Sequence, residues 1–426
     1  MNILNKIKNS AVIKNSLIYT IFSFINKGIP FLLIPVLTKY LNQEDYGTIS
    51  IFNTYVQALF LIIGLSLVSS ISVNFFHLNS KDFKIYVSNT LIILIITFII
   101  SLLVTYILED FLITFIKLPP LWIYLSLITA FLMLIIEITL SIWRLNEEAL
   151  KFAYYSLIIT FFNITVSLIL IISLSYNWEG RTLGITSSTI IFGIISFIIL
   201  SNKGFISLKL NIDFIVDALK LGISTLPHHV ALMLRTGADI FMITYIIGLS
   251  AVGIYSIGFQ FGAIFGIIMG AINTAFSVYH MKLLKNCDEE KKILIVKYTY
   301  IGIILLFLVS IIFSYILEFL FSLMVNEKFN EAKQYIFIIT VAHSFQGMYF
   351  MIVNYLYFKK KNHIVSLISI ISVTTQIIFS YILIKTYGPI GAAYATFFGF
   401  LLTFLLVFYF ANKIYPMPWF NKRGIK

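Results

Sequence analysis

Cysteine occurs only once, at Cys287, so this chain can build neither a disulfide framework nor a cysteine metal site. Charge is scarce as well. Only 11% of the 426 residues are Asp, Glu, Lys or Arg while 60% are hydrophobic, which excludes a water-soluble protein and leaves an integral membrane protein. Acidic residues are the rarer sign, 18 against 30 basic, for a formal net charge of +12. That excess is not a nucleic-acid footprint, because it sits in short loops between apolar runs, where Lys and Arg set membrane orientation. Enzyme signatures are missing too: there is no H-E-x-x-H, no G-x-S-x-G, no phosphate-binding P-loop and no long extracytoplasmic loop to house a sugar-transfer site. His228-His229 lacks a third metal ligand, and no cofactor is implied.

What is present is a series of long apolar runs without the alternation of barrel strands, so all are read as helices. Twelve spans can be placed, at about 16–40, 47–75, 84–108, 121–143, 152–176, 181–201, 219–247, 251–280, 293–324, 333–358, 363–386 and 388–411. The lysine-bearing N-terminus runs into an apolar stretch too long for a signal-peptide core, and is read as a retained first helix. An even number of spans puts both termini on one side. Loops on that side carry most of the Lys and Arg, whereas the opposite loops hold Lys39, Lys117, Arg181, Lys328, Lys333 and Lys385, so the positive-inside rule predicts cytoplasmic termini.

The sequence divides into an N-terminal six-helix lobe (1–201), a linker (202–218) and a C-terminal six-helix lobe with a basic tail (219–426). Around the linker, Phe205, Leu208, Ile212, Ile215 and Leu219 recur at helical spacing between charges, which predicts an amphipathic helix on the cytoplasmic face. The lobes read as repeats. Gly47, Ser50 and Ile51 align with Gly253, Ser256 and Ile257, and Gly180-Arg-Thr-Leu-Gly184 faces Gly388-Pro-Ile-Gly391 at nearly the same offset. Repeats of six spans are parallel, which predicts two lobes around a central cleft at the midplane.

Charge inside the spans is the main functional signal. Lys27 stands at the centre of Leu17 to Leu37, too deep for its stem to snorkel to either interface, so it must face protein or a water-filled cavity. Pro30 and Pro35 in the same run free helical carbonyls at that depth. About one repeat later Arg235 lies near the middle of the seventh span, with His228 two turns before it and Asp239 one turn after, all on one face, and with Pro227 alongside. Buried cations cost about 2.5–3.5 kcal/mol each on insertion scales, and their natural ligand is an anion: Arg offers a planar fork, Lys a point charge. Two competing readings stand beside this: Arg235 and Asp239 neutralise each other along one helix, which leaves Lys27 as the sole free cation, or Lys27 is pinned by a carboxylate from another helix. Glu137, in the fourth span, either pairs with Lys27 or binds a coupling proton or ion. Asn53 and Gln57 of the second span, and Thr340, His343, Gly347 and Asn354 of the tenth, either line a cavity or bond neighbouring helices. Gly258, Gly262, Gly266 and Gly270, four residues apart, and Gly64 read as close helix packing.

At Pro35-Val-Leu-Thr38-Lys-Tyr-Leu41-Asn-Gln-Glu-Asp-Tyr46-Gly47 the chain resembles the polysaccharide repeat-unit (O-antigen type) flippases of the multidrug/oligosaccharidyl-lipid/polysaccharide exporter superfamily, with Asn42 in place of the usual glycine. The resemblance implies a two-lobed transporter that alternates access. Its cargo would be an undecaprenyl-diphosphate-linked oligosaccharide moved from the cytoplasmic to the outer leaflet of the bacterial inner membrane, in the company of membrane lipid and the polysaccharide polymerase machinery. Lys27 and Arg235 would then meet the headgroup anions, with Asp239, Glu137, His228, Asn53, Gln57 and His343 as cavity or coupling residues. The alternative within the superfamily is a cation-coupled multidrug antiporter, which calls for unpaired carboxylates. A membrane-embedded polymerase or ligase would need a large external loop.

Overall fold

The computed structural model describes residues 18–19, 22, 25–26, 28–29, 31–207, 209–285 and 288–419. Every regular element among them is helical. In order these are α1 (Ile34–Tyr40), α2 (Gln43–Gly64), α3 (Leu67–Asn74), α4 (Ser80–Ile107), α5 (Glu109–Ile116), α6 (Pro120–Leu145) and α7 (Ala149–Leu168), which is continued by one π turn (Ile169–Ser173). There follow α8 (Asn177–Asn202), α9 (Ile212–Ile246), α10 (Leu249–Lys285), α11 (Glu289–Met324), a 3-10 turn (Glu327–Ala332), α12 (Lys333–Phe358), α13 (Asn362–Tyr387) and α14 (Ile390–Ile414).

Ten of these helical stretches are long and apolar enough to cross a membrane. Part of the first expected span, Lys27 included, falls outside the described residues, and α9, which carries Arg235 and Asp239 and matches the seventh span expected from the sequence, is not among the ten. The chain therefore is a multi-pass, all-α membrane protein. It divides into two compact units, Met1–Met233 and Leu234–Lys426, with the division inside α9.

Two of the matched places in the sequence occupy like positions in their helices. Ser50 and Ser256 each occupy the eighth position of their helix, α2 and α10, and each is buried, as are Ile51 and Ile257 after them. A Cβ on Gly184 of α8 would overlap the Asn163 carbonyl of α7, and one on Gly391 of α14 would overlap the Leu383 carbonyl of α13. In both units the last helix thus starts backbone-to-backbone against its predecessor, which only glycine permits. Gly391→Ala should cost about 1–3 kcal/mol through overpacking. Thermal unfolding of the detergent-solubilised protein should show a clearly lowered midpoint; an unchanged one would mean the helix pair relaxes freely.

Asn42, the departure from the family pattern, makes a capping box for α2: its side chain accepts from the Asp45 amide at 2.7 Å, and the Asp45 carboxylate accepts from the Asn42 amide at 3.0 Å. The expected glycine stripe packs as read. Cβ atoms on Gly258, Gly262 and Gly266 would collide with the 3-10 turn and α12, at Ala332, Ile339 and His343, whereas Gly270 has open space.

Three expectations need correcting. The second span is not one helix: it breaks at Leu65 and Ser66, both left-handed at φ 44° and 58°, between α2 and α3. The Leu65 carbonyl closes on Gly222, where a Cβ would come within 2.6 Å, and the Thr97 hydroxyl lies 2.7 Å from the Ile63 carbonyl that the break frees. The linker is not a separate surface helix either. Residues 205–207 and 209–211 have no regular secondary structure and bond to α4: Ser207 exchanges hydrogen bonds with Ser88, and Asn89 donates to the Lys209 carbonyl at 3.1 Å and accepts from the Asn211 amide at 3.0 Å. From Ile212 the chain is already α9, and Asp217 accepts from Asn74 at 2.9 Å and Tyr86 at 3.0 Å. Of the periodic residues, Phe205 is buried and packs edge-on to Phe83 while Ile212 is exposed; Phe214, off that stripe, packs against Tyr86. In the first span, Pro35 sits in the first turn of α1, so the break falls at Leu33 rather than at the proline.

Outside the spans, Glu148 ties the start of α7 to the end of α8. It accepts from Lys151 at 2.8 Å and lies 3.7 Å from Lys203. Burial would raise its carboxyl, but the Lys151 hydrogen bond and the two lysine charges more than offset that and hold it below its ordinary value. Its contribution is complete at neutral pH and disappears as pH falls through that lowered value. Glu148→Gln should therefore lower stability at pH 7 by about 0–1 kcal/mol and match the wild type in acid, as read by unfolding midpoints across pH.

Candidate functional site

In the second unit Arg235 projects from α9 toward α14. Its guanidinium donates to the Thr403 hydroxyl at 3.1 Å and lies over the Phe400 ring, 4.8 Å from the centroid. Phe400 also touches His343, at 5.0 Å between centroids, so one ring carries both a cation and an imidazole. The Arg235 backbone carbonyl accepts from Gln376 of α13 at 3.0 Å. A guanidinium has five N–H donors. Among the described residues, Thr403 is the one hydrogen-bond acceptor it finds, and no carboxylate pairs with it.

Asp239 lies one turn further along α9 but does not neutralise Arg235. It is buried, and hydroxyls from three other helices satisfy it: Ser380 of α13 at 2.5 Å, Tyr255 of α10 at 3.1 Å and Thr396 of α14 at 3.1 Å. The intrahelical ion pair weighed from the sequence is therefore not formed. A carboxylate ringed by hydroxyls offers an all-oxygen donor set suited to a proton or a small hard cation. Gln376 adjoins both groups, 3.4 Å from the Thr396 hydroxyl, and its own Oε1 is buried without a partner.

In the first unit a cavity of about 350 Å³ opens beside the α2–α3 break, lined by Ser66, Ser72, Glu137, Ser141, Arg144 and His229 among others. Glu137 accepts from Arg144 at 3.2 Å, two turns along α6, and the His229 Nδ1 is 3.0 Å from the Ser66 hydroxyl. The partner of Glu137 is thus Arg144, which the sequence places in a loop; α6 simply continues as far as Leu145. Lys27, with Pro30, lies outside the described residues.

The remaining expected positions are dispersed. His228 is exposed, edge-on to His229. Asn53 is half-buried and Gln57 exposed, and neither lines the first-unit cavity. His343 is buried, with Nδ1 2.8 Å from Gln346 and Nε2 unpartnered. Reading the sequence missed Arg144, His229, Gln376, Ser380 and Thr396. Gln376 and Ser380 do fall one turn apart within an apolar run, a polar stripe that could have been noticed.

The chain is thus a many-helix membrane protein in which a cation and a carboxylate of one helix are held by polar groups of other helices. The structure is similar to the "Lipid II flippase MurJ, inward closed conformation" (TM-score 0.72, 17% identity, 92% of this chain and 87% of that one). It is also similar to a multidrug resistance MATE family transporter of the MOP superfamily in its inward-facing conformation (TM-score 0.67, 12% identity, 91% and 94%). By sequence the chain belongs to the family described as polysaccharide biosynthesis protein, which it matches over residues 12–279. It is 24% identical over 374 residues to "Lsg locus putative protein 1" of Haemophilus influenzae, covering 85% of this chain and 88% of that protein.

Proposed function

We infer that the protein flips undecaprenyl-diphosphate-linked polysaccharide repeat units from the cytoplasmic to the outer leaflet of a bacterial inner membrane, with both termini cytoplasmic. The observation that carries this reading is Arg235: a guanidinium within a membrane span, backed by an aromatic ring, whose donors are mostly left over for an anionic ligand. Membership of the polysaccharide biosynthesis family supports a glycan cargo, and the fold shared with a lipid II flippase supports a lipid-linked one. Lys27, about one repeat earlier, supplies the second charge in this reading, and Asp239 holds the coupling proton or cation. The polysaccharide polymerase machinery would receive the cargo outside.

Export of organic cations is the weaker reading. It requires a carboxylate facing the cargo, but among the described residues Glu137 is paired with Arg144 and Asp239 is enclosed by hydroxyls. Deleting the gene in its host separates the two. Loss of surface polysaccharide with accumulation of the lipid-linked repeat unit on the inner leaflet is expected. Normal surface polymer with increased sensitivity to cationic dyes would support the antiporter instead.

A further inference from the structure

A second cavity, of about 580 Å³, lies in the second unit between α10 and α12. Its size is within the range of about 300–1,000 Å³ usual for small-molecule sites. It starts where the two helices end, at Lys282, Lys285 and Tyr357, and reaches back to Asn273, twelve residues or about 18 Å of helix rise from Lys285. Lys282 and Lys285 sit one turn apart on one face and are exposed. No acidic residue lines the cavity.

Of the carboxylates nearest in sequence, Asp288 bonds Lys291 at 2.9 Å and Glu289 bonds Lys292 at 2.7 Å, while Glu290 is exposed and does not line the cavity. Among the described residues, Lys282 and Lys285 are left without an ion pair. Deeper in, the chemistry changes from charge to amide. Asn354 is buried with its amide nitrogen donating to the Phe350 carbonyl at 3.3 Å and lying 3.4 Å from the His280 Nδ1, which leaves its Oδ1 as the acceptor, and Asn273 has a buried Oδ1 without a partner. On the flank Val278 lines the cavity and is exposed, as Ile272 nearby on α10 is, giving apolar surface for a lipid chain. Arg235 does not line this cavity.

We propose that this cavity is a binding site for the phosphate-ester headgroup of a lipid, with Lys282 and Lys285 holding the phosphate, the asparagines meeting headgroup hydroxyls, and the chain lying along Val278. Two lipids share that chemistry, an anionic phospholipid of the bilayer and the diphosphate cargo. Arg235 is not among its lining residues, and the phospholipid reading of the site does not depend on the transport reading, whereas the cargo reading does.

Full-length protein in detergent, titrated with phosphatidylglycerol, phosphatidylcholine and a polyprenyl diphosphate under native mass spectrometry, tests this. The wild type should bind at least one of the two anionic lipids about tenfold or more tighter than phosphatidylcholine, since each lysine contributes separately. Lys282→Gln with Lys285→Gln should remove that preference, the arginine pair should keep it, and either glutamine alone should remove part, which keeps the test open if the glutamine pair folds poorly. Arg235→Ala should leave any phosphatidylglycerol preference intact. Lysine dependence for phosphatidylglycerol assigns the site to bilayer lipid, and dependence for polyprenyl diphosphate alone assigns it to the cargo. Absence of any anionic preference in the wild type, or a preference unchanged in the glutamine variants, overturns the proposal.

Discussion

Arg235→Ala is expected to lower translocation of a diphosphate-linked glycan by about 10- to 100-fold in proteoliposomes, while Arg235→Lys keeps part of the activity and Arg235→Glu keeps none. Hydrogen bonds to a charged group are each worth about 1.5–3 kcal/mol, so losing the guanidinium loses one to two orders of magnitude in affinity for a phosphate-bearing cargo. Lysine restores charge but neither the planar fork nor the stacking on Phe400, hence the partial rescue. The ranking separates an anion site from a structural role. If Arg235 served only to pack against Phe400 and Thr403, lysine and alanine would differ in stability and not in transport, and a neutral glutamine would transport normally.

Asp239 yields the other large effect. Removing its side chain leaves the hydroxyls of Ser380, Tyr255 and Thr396 without their acceptor in a buried place, at about 1–3 kcal/mol for each group left unsatisfied. Asp239→Ala should therefore express poorly and unfold early. Asp239→Asn, of nearly the same shape, is the informative variant: it should remain folded and still bind the cargo, yet lose most of its response to an imposed proton or sodium gradient, by about tenfold or more. A gradient response equal to the wild type in Asp239→Asn would assign the carboxylate to helix packing. A loss of cargo binding in step with Arg235→Ala would mean that the two residues act as one unit despite the absence of an ion pair between them.

Arg235 and Asp239 were legible in the sequence because a charge in an apolar run is conspicuous, and the all-helical, duplicated fold was legible because its spans are long and its glycine motifs recur at one offset. Their surroundings were not. Thr403, Thr396 and Ser380 stand more than a hundred residues away, and a hydroxyl in a helix reads the same whether it bonds its own backbone, as Thr244 does, or a distant carboxylate, as Ser380 does. The break at Leu65 and Ser66 left no trace, since neither residue is a glycine or proline; tertiary contacts hold it in place, the Leu65 carbonyl against Gly222 and the Ile63 carbonyl beside Thr97. The bond from Arg144 to Glu137 was not foreseen because helix ends are the least readable part of a span: the fourth span was read as ending at residue 143, one short of Arg144. Phe205 shows why the linker misled: an apolar residue at helical spacing can be buried by protein, here by Phe83, from a segment that is not helical.

The most direct measurement is the affinity of purified protein in nanodiscs for undecaprenyl-diphosphate-linked oligosaccharide, compared between the wild type and Arg235→Ala and repeated with the diphosphate replaced by a neutral linker. The wild type should bind the diphosphate form at least about tenfold tighter than the neutral one, and Arg235→Ala should bring the two together. Equal affinity of the wild type for both, or an undiminished diphosphate preference in Arg235→Ala, would contradict the assignment of Arg235 to the cargo's phosphates.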